Sequence, residues 1–426
     1  MLYERWLKIA AQRGQTIAFH EPGAPGAFTF DMLGQMVHRL MLPIVPVEFP
    51  QLKPDAPEPG LALFLTTTLH AWRHGGAICP LEPGQPRPNL GDIPPGNALL
   101  KSTSATTGAP RYVAFTAEQL AADADNLVAT MGLRPDWPNL GVISLAHSYG
   151  FSNLVLPLLL HGIPLLLAPS PLPEAVRQAA ARAPDITLPA VPAMWRAWHE
   201  AGAIPPNVRL AISAGAPLPL PLEQEIFARS GLKIHNFYGA TECGGIAYDA
   251  SAQPRTDPSC AGAPMNNVRL STHADGCLVV RGQAVGQSYW PDPAPNLARR
   301  RYITSDLAEI RDGLVYLRGR ASDLINMAGR KVSPETIERA LLDHPLVKDC
   351  LILGAPAPDA GRGDQIIACV VAQPGVTADD LKQFLHEQIP AWQLPRDWRF
   401  VESLAPNQRG KLSRTEWRAR LGFAAR

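Results

Sequence analysis

From about residue 96 onwards, the chain alternates short apolar runs with segments whose apolar residues recur at helical spacing. The runs "NALLKSTS" and "LGVISLA" predict strands, and "TAEQLAADADNLVATMGL" between them predicts a helix capped by Thr116 and Gln119. The stretches "VRLAISAGAP" and "LKIHNFYGATE" repeat the strand pattern and end in small or polar residues. Alternating strands and helices predict a mostly parallel sheet, whose ligands bind at the carboxyl ends of the strands.

The pattern changes twice further along the chain. From about residue 262 it is strand and turn, as in "LAEIRDGLVYLRGR", where Asp312 and Gly313 predict a hairpin turn. Past Arg320 a compact α+β unit follows, whose first helix is predicted to begin with Ser333 as its cap and Pro334 at the first helical position. The predicted fold class is therefore α/β, with a large N-terminal domain of mostly parallel sheets, a β-rich subdomain and a small C-terminal domain.

Composition narrows the possible partners and the location. The chain of 426 residues carries 39 basic and 38 acidic side chains, so its net charge of +1 indicates neither nucleic acid nor an anionic membrane as a partner. The most apolar stretch, residues 153–169, is interrupted by two prolines and a histidine, and it predicts a helix and a strand rather than a membrane span. The six cysteines form no CxxC pair, and the first residues lack the apolar run of a signal peptide. We therefore expect reduced thiols and a cytoplasmic protein.

The hydroxyl-rich segment "KSTSATTGAPRY", residues 101–112, is a candidate phosphate-binding loop. Backbone N–H groups and hydroxyls on a loop between a strand and a helix suit a polyphosphate. The groups that could hold it belong to Thr103, Ser104, Thr106, Thr107, Gly108 and Arg111. By itself, the segment is explained equally well as a Ser/Thr-rich surface turn. The Walker sequence GxxxxGK[ST] is absent, which argues against an ordinary P-loop NTPase.

Six further stretches follow this loop in a fixed order. They are "LAHSYGFSN", "AISAGAPLP", "NFYGATECGG", "YITSDLAEIRDG", "LRGRASDLINMAGRKVSPETIE" and "LAPNQRGKLSRTEW". Together with the loop, which is similar to [ST]SG[ST]TGxPK, they resemble the signatures of the adenylate-forming superfamily. That superfamily includes acyl- and aryl-CoA ligases, the adenylation domains of peptide synthetases, and firefly luciferase. The resemblance covers residues 26 to 420, although the segment before the loop is shorter than is usual in the family.

The resemblance implies a site that binds ATP and Mg²⁺. The implied catalytic residues are Lys411, Glu242, Thr241 and His147, with Glu242 as the ligand of Mg²⁺. The implied nucleotide-binding residues beyond the loop are Gly215, Ala216, Pro217, Asn236, Phe237, Tyr238, Gly239, Asp306 and Arg320. Tyr238 would stack on adenine, and Asp306 would accept hydrogen bonds from the ribose hydroxyls. The expected domains are an adenylate-binding domain at residues 1–319, a hinge at 320–323 and a lid domain at 324–426 that carries the catalytic lysine.

The resemblance also implies a function. We expect a ligase that activates an apolar acyl or aryl carboxylic acid as acyl-AMP, releases pyrophosphate, and transfers the acyl group to coenzyme A or to the phosphopantetheine thiol of a carrier protein acting in trans. Cations must offset the repulsion between carboxylate and phosphate, and Lys411 can do so at the α-phosphate. The stretches predicted to line the acid pocket offer no clear partner for a charged substrate tail, which favours an apolar acid over an amino acid. Those pocket residues are His147, Phe151, Ser213, Ala214, Gly215, Asn236, Gly244 and Gly245.

Four positions depart from the family pattern, namely Ala105, Arg111, Ser305 and Ser322. Arg111 keeps the positive charge of the usual lysine with a different geometry. Two alternatives therefore stay open. One is an adenylate-forming enzyme without a thiol acceptor, such as one that closes a β-lactone. The other is a nucleotide-binding homologue that has lost catalysis.

Overall fold

The structure, a computed structural model, describes residues 1–24, 26–52, 60–103, 111–327, 329–357, 364–404 and 414–423. The chain divides into two compact units. The first unit comprises Met1–Ser271, Val279–Ile303 and Arg311–Val315, and the second comprises Thr272–Leu278, Thr304–Ile310 and Tyr316–Arg426. Within the described ranges, no helix is both long enough and apolar enough to cross a membrane. The domain bounds at 319 and 324 and the hinge between them stay predictions.

Nine α-helices lie in the described part of the first unit. They are α1 (Leu2–Arg13), α2 (Phe30–Arg39), α3 (Gly60–Arg73), α4 (Ala117–Met131), α5 (Ser148–Gly150), α6 (Leu156–His161), α7 (Pro173–Ala180), α8 (Pro192–Glu200) and α9 (Leu220–Ser230). A π-helical segment, Phe151–Val155, joins α5 to α6. The predicted cap of α4 is confirmed, because the Thr116 hydroxyl accepts the Gln119 N–H while the Gln119 side chain accepts the Thr116 N–H.

The strands before the C-terminal region range from two residues in length to the eleven of Arg301–Arg311. They are β1 (Ile17–His20), β2 (Ala27–Thr29), β3 (Val47–Glu48), β4 (Ala77–Ile78), β5 (Asn97–Ser102), β6 (Tyr112–Thr116), β7 (Asn139–Gly141), β8 (Leu165–Leu167), β9 (Ile186–Ala190), β10 (Val208–Ser213), β11 (Ile234–Ala240), β12 (Gly244–Tyr248), β13 (Cys260–Pro264), β14 (Arg269–Thr272), β15 (Cys277–Arg281), β16 (Ser288–Trp290), β17 (Leu297–Ala298), β18 (Arg301–Arg311) and β19 (Leu314–Arg320). The strand-rich texture predicted after residue 262 is therefore present.

Two sheets organise the first unit. One runs in the order β13-β12-β11-β10-β9-β7-β8-β1-β2, and its inner strands β11, β10, β9, β7, β8 and β1 pair in parallel. The other runs in the order β16-β6-β5-β4-β3. The fully buried Trp195 and Trp198 of α8 lie in the core that covers one face of the first sheet. The predicted α/β class with mostly parallel pairing is confirmed.

The second unit has its own core. In the described part of it after residue 320, the strands are β20 (Ile325–Met327), β21 (Arg330–Val332), β22 (Val347–Pro356), β23 (Asp364–Ala372) and β24 (Asp397–Phe400), and the α-helices are α10 (Pro334–Leu342), α11 (Ala378–His386) and α12 (Arg414–Arg420). Strands β22 and β23 pair antiparallel, and β24 pairs parallel to β23. Apolar side chains of α10, α11 and the sheet form one buried cluster.

Three local predictions need correction. The strand predicted for "LGVISLA" ends at Gly141, and beyond it the Ser144 hydroxyl accepts the Ala146 N–H in a turn. Ser333 stands at the N-cap of α10, but its hydroxyl donates to Glu335 instead of capping the backbone. The hydroxyl-rich loop connects β5 to the antiparallel strand β6 rather than to a helix, because "YVAFT" pairs with β5 before α4 begins.

Candidate active site

The carboxyl ends of two neighbouring strands bring together the turns predicted to bind the nucleotide. Strands β10 and β11 pair in parallel, with Ser213 opposite Asn236. Immediately after β10, Gly215 has a φ of +87°, a conformation that glycine adopts without steric cost, and it is exposed together with Ala216 and Pro217. Parallel pairing therefore places residues 213–217 beside residues 236–239, as the sequence pattern predicts.

A buried charged network fixes the turn after β10. Arg255 donates to Glu223 Oε2 at 2.8 Å and to the carbonyl oxygen of Leu218, also at 2.8 Å. Lys233 pairs with Glu223 and with Asp249, so two buried cations face two buried carboxylates. Buried charges are tolerated only when they are paired and hydrogen-bonded. This network therefore holds the turn at 214–219 against the strands.

Phe237 and Tyr238 are neighbours on β11 but differ in burial. Phe237 is buried, and its ring centroid lies 6.0 Å from that of Tyr149. A Cβ at Gly245 would lie 3.1 Å from the Phe237 ring, so the ring packs tightly against this glycine. Tyr238 is half-buried and lies opposite Ala247 of β12. Phe237 thus belongs to the packing that supports the site, whereas Tyr238 is only partly buried.

Glu242 lies in the turn between β11 and β12, next to the half-buried Thr241. The Tyr289 hydroxyl donates a hydrogen bond of 3.0 Å to Oε1 of Glu242. The Arg111 guanidinium lies over the Tyr289 ring, 4.0 Å from its centroid, and donates to the carbonyl oxygen of Asp292 at 3.2 Å. One tyrosine therefore contacts both the carboxylate predicted to ligate Mg²⁺ and the cation predicted to contact phosphate.

The electrostatics of this contact keep the tyrosine protonated. Burial raises the pKa of the Tyr289 hydroxyl, and the neighbouring charge of Glu242 raises it further. Burial raises the pKa of the adjacent Tyr302 in the same way. A protonated Tyr289 is a hydrogen-bond donor, so Glu242 stands as the acceptor and its carboxylate is held in one orientation.

The Glu242 side chain is suited to serve as a ligand of Mg²⁺. It is half-buried and offers hard carboxylate oxygens, the donor type that Mg²⁺ prefers. Among the described residues, no group of three or more His, Cys, Asp and Glu side chains gathers into a metal cluster. In nucleotide sites, Mg²⁺ is usually bound by one or two carboxylates together with phosphates and water.

His147 lies against a carboxylate that the sequence reasoning did not identify. Its Nε2 is 3.0 Å from Oε1 of Glu82, and the Ser144 hydroxyl donates to the same oxygen at 2.6 Å. Both His147 and Glu82 are partly exposed. The only signal in the sequence is Glu82 within "GGAICPLEP", a stretch that resembles the family weakly. A charged group thus stands beside a predicted pocket residue.

In the second unit, Asp306 and Arg320 are brought together. Nε of Arg320 donates to Oδ1 of Asp306 at 3.0 Å, and the Thr304 hydroxyl accepts the Asp306 N–H. Asp306 is half-buried, while Arg320 and Ser305 are exposed. These two residues, both predicted to bind the nucleotide, are therefore neighbours, although 14 positions separate them in the chain.

Part of the predicted site lies outside the described residues, namely Ser104, Thr106, Thr107, Gly108 and Lys411. Their flanks are described. The N–H of Thr103 donates to the carbonyl oxygen of Arg111 at 2.8 Å, which closes the base of the loop. Arg414, three positions after Lys411, forms ion pairs with Asp323, Glu335 and Glu338.

Comparison with known proteins agrees with this arrangement. Residues 94–290 match the family of AMP-binding enzymes, and residues 336–411 match the AMP-binding enzyme C-terminal domain. A mitochondrial malonate–CoA ligase of Mus musculus is 28% identical over 86% of this chain and 71% of its own length. The sulfoacetate–CoA ligase of Cupriavidus necator is 29% identical over 79% of this chain and 68% of its own.

A solved structure shows the same fold. It is that of o-succinylbenzoate–CoA synthetase from Bacillus subtilis with its acyl-adenylate intermediate, which is 20% identical and covers 97% of both chains with a TM-score of 0.81. The two family matches lie on the two sides of the predicted boundary, and the first contains the loop and the next three motifs in the predicted order. The chain therefore belongs to the adenylate-forming, AMP-binding superfamily and is a ligase.

Proposed function

We propose that this chain uses ATP to activate a small carboxylic acid as acyl-AMP, with release of pyrophosphate, and then passes the acyl group to the thiol of coenzyme A. The observation that carries the proposal is the contact of Tyr289 with both Arg111 and Glu242. It supports a site where a phosphate-binding cation and a metal-binding carboxylate face the same substrate. Two relatives are named as CoA ligases, one for malonate and one for sulfoacetate, and their names support the same reaction class.

The chemistry to be assisted is attack of a carboxylate oxygen on the α-phosphorus, with pyrophosphate leaving. Two anions approach one another, so the protein must offset their repulsion and hold them in line. Arg111, at the end of the loop, is exposed and contributes positive charge toward the phosphates, while Tyr289 fixes its plane. A bound Mg²⁺ would polarise phosphate oxygens. Lys411 neutralises charge between the carboxylate and the α-phosphate in this proposal.

Two further groups act on the nucleotide. Tyr238, which is half-buried, offers a flat aromatic ring on which adenine can stack. Asp306 accepts hydrogen bonds from the ribose hydroxyls, and the hydrogen bond from the Nε–H of Arg320 orients the Asp306 carboxylate. No residue of the protein needs to act as a covalent nucleophile, because the acid substrate is itself the nucleophile.

Two classes of carboxylic acid are candidate substrates. The sequence favours an apolar acid, whereas malonate and sulfoacetate each carry a second acidic group. The proposed acceptor is coenzyme A, and a phosphopantetheine carrier protein in trans is the second acceptor to test. The location of the protein stays a prediction.

The test is carboxylate-dependent ATP–pyrophosphate exchange with malonate, sulfoacetate, o-succinylbenzoate, short and long fatty acids, and benzoate. We expect exchange with one class of acid, and its loss in Lys411→Ala but not in the control Lys348→Ala, which removes an exposed lysine of the second unit. Absence of exchange with every acid, in a protein that binds MgATP, contradicts the proposal and favours a homologue without catalysis.

The acceptor is tested separately by mass spectrometry of the products. The active acid is incubated with MgATP and either coenzyme A or a phosphopantetheinylated carrier protein. A thioester of coenzyme A is expected. An acid that is activated but yields no thioester, or yields a β-lactone, would indicate an adenylate-forming enzyme without a thiol acceptor.

A further inference from the structure

A buried lysine lies at the start of the candidate site and has no role in the proposed reaction. Lys101, on β5 and two positions before Thr103, is only 2% exposed. Its Nζ donates to the Ser152 hydroxyl at 2.8 Å, and that hydroxyl donates to Oδ2 of Asp123 at 2.6 Å. The serine therefore lies between a buried ammonium group and a buried carboxylate, whose closest atoms are 3.8 Å apart.

The surroundings of this pair are apolar. Nζ of Lys101 lies 4.8 Å from the centroid of the buried Phe115 ring, and Cys243 is buried nearby. Burial lowers the pKa of Lys101, although the charge of Asp123 opposes this shift. A buried charge that lost its partner would be strongly destabilising, whereas replacing both charges together by apolar side chains of similar volume would cost little. The presence of a charged pair here thus calls for a reason other than stability.

The three members of the network come from three separate parts of the chain. Lys101 lies on the strand that leads into the hydroxyl-rich loop, Ser152 lies in the π-helical segment that follows His147, and Asp123 lies on α4. Such π-helical segments are frequent at functional sites. Asp123 extends the network to a fourth part, because its Oδ1 accepts the N–H of Gly245 on β12 at 3.4 Å.

The start of β12 is shaped around Asp123. A Cβ at Gly244 would lie 2.0 Å from Oδ1 of Asp123, and Gly244 has a φ of +68°. Gly244 directly follows Cys243, which follows Glu242 in the chain. The position of Asp123 and the backbone path from Glu242 into β12 are therefore coupled.

We infer that Lys101 is a positioning residue. Through Ser152 and Asp123 it ties the strand before the phosphate loop to the π-helical segment after His147 and to the start of β12 after Glu242. The inference rests on the proposed function, because it assigns the three tied segments to one reaction. If the inference is right, replacing Lys101 and Asp123 by apolar side chains preserves the fold but lets the tied segments move relative to one another.

The test compares Lys101→Met/Asp123→Leu, which replaces both charges together, with the matched variant Lys382→Met/Asp379→Leu. The latter removes an exposed Lys–Asp pair of 3.0 Å in the second unit. We measure the thermal midpoint, kcat of ATP–pyrophosphate exchange, and amide hydrogen exchange of residues 147–155 and 242–248. For the buried pair we expect a retained midpoint, a kcat lower by about tenfold or more, and faster amide exchange in both segments. The exposed pair should leave all three unchanged.

Each outcome decides a specific point. If the folded double variant keeps the wild-type kcat, the pair has only a structural role and the inference is overturned, whatever the amide exchange shows. If the double variant does not fold, Ser152→Ala decides, since it keeps both charges and removes the link. Unchanged kcat in Ser152→Ala overturns the inference, and a several-fold loss supports it. If the wild type lacks exchange with every acid, the proposed function fails, while amide exchange still reports whether the pair holds the segments.

Discussion

The hydroxyl of Tyr289 donates to Oε1 of Glu242 at 3.0 Å, across a sequence separation of 47 residues. The same ring supports the guanidinium of Arg111. A single side chain thus sets the distance between two groups of opposite charge that the proposed reaction needs together. The hydroxyl and the ring can be separated experimentally, because phenylalanine keeps the ring and removes only the donor.

Tyr289→Phe is expected to raise the Mg²⁺ concentration needed for half-maximal ATP–pyrophosphate exchange. The lost hydrogen bond is worth about 1 kcal/mol, so the expected increase is about fivefold. Titration of exchange activity with MgCl₂ measures it. Tyr3→Phe, on α1 of the same unit, is the control and should not change the titration. An unchanged Mg²⁺ requirement in Tyr289→Phe would show that this hydrogen bond does not orient a metal ligand.

Asp306→Asn is expected to weaken discrimination between ATP and 2′-deoxy-ATP. A carboxylate accepts stronger hydrogen bonds from ribose hydroxyls than an amide does, so the ratio of kcat/KM for the two nucleotides should fall by about tenfold. Steady-state kinetics with both nucleotides provide the measurement. Asp397→Asn removes the carboxylate of another Arg–Asp pair in the same unit, at 2.9 Å from Arg399, and should keep the wild-type ratio. Equal ratios in wild type and Asp306→Asn would refute ribose binding by Asp306.

Gly244→Ala is expected to destabilise the protein far more than Gly231→Ala. The two glycines have nearly the same φ, +68° and +70°, so both substitutions carry a similar backbone penalty of about 1–2 kcal/mol. At Gly231 nothing lies within 4 Å of the added Cβ, whereas at Gly244 it would overlap the Asp123 carboxylate. Urea unfolding of both variants measures the difference. Equal losses of unfolding free energy would mean that Asp123 can move away without cost.

Glu338 is expected to make stability depend on pH in the second unit. Burial raises the pKa of Glu338 from 4.5 to about 7, against the opposing effect of Arg414. Between these two values the folded state binds more protons than the unfolded state, so the free energy of unfolding falls as pH rises from 4.5 to 7. Glu338→Gln cannot titrate and should lack this part of the decline.

Thermal unfolding of wild type and Glu338→Gln between pH 4.5 and 8 tests whether stability falls as the pH rises. The charged groups that act on Glu338 are Arg414 and Glu335, and Arg414 also pairs with Asp323; both proteins retain all three. Glu387→Gln, an exposed position in the same unit, should follow the wild-type curve. A wild-type protein that gains stability relative to Glu338→Gln as the pH rises would show that the Arg414 ion pair outweighs burial.

Much of the local structure follows from the sequence, because it depends on contacts between near neighbours. The cap of α4 uses only Thr116 and Gln119, three positions apart, and the pattern predicts it correctly. Parallel pairing of β10 and β11 follows from strands that alternate with helices, and it places residues 213–217 beside 236–239. The ordered motifs predict the family, which the comparisons confirm. Strand β6 was missed because a short apolar stretch carries too little periodicity to identify it.

The sequence by itself determined the superfamily, the fold class and the types of chemistry along the chain, since short motifs and periodicity encode them locally. The tertiary structure decided which side chains meet: Tyr289 with Glu242, Glu82 with His147, and Lys101 with Asp123. None of these pairs is near in sequence, and no periodicity relates their positions. Their contacts arise because the packing of distant elements decides which polar groups come within reach of one another, and only the folded chain specifies that packing.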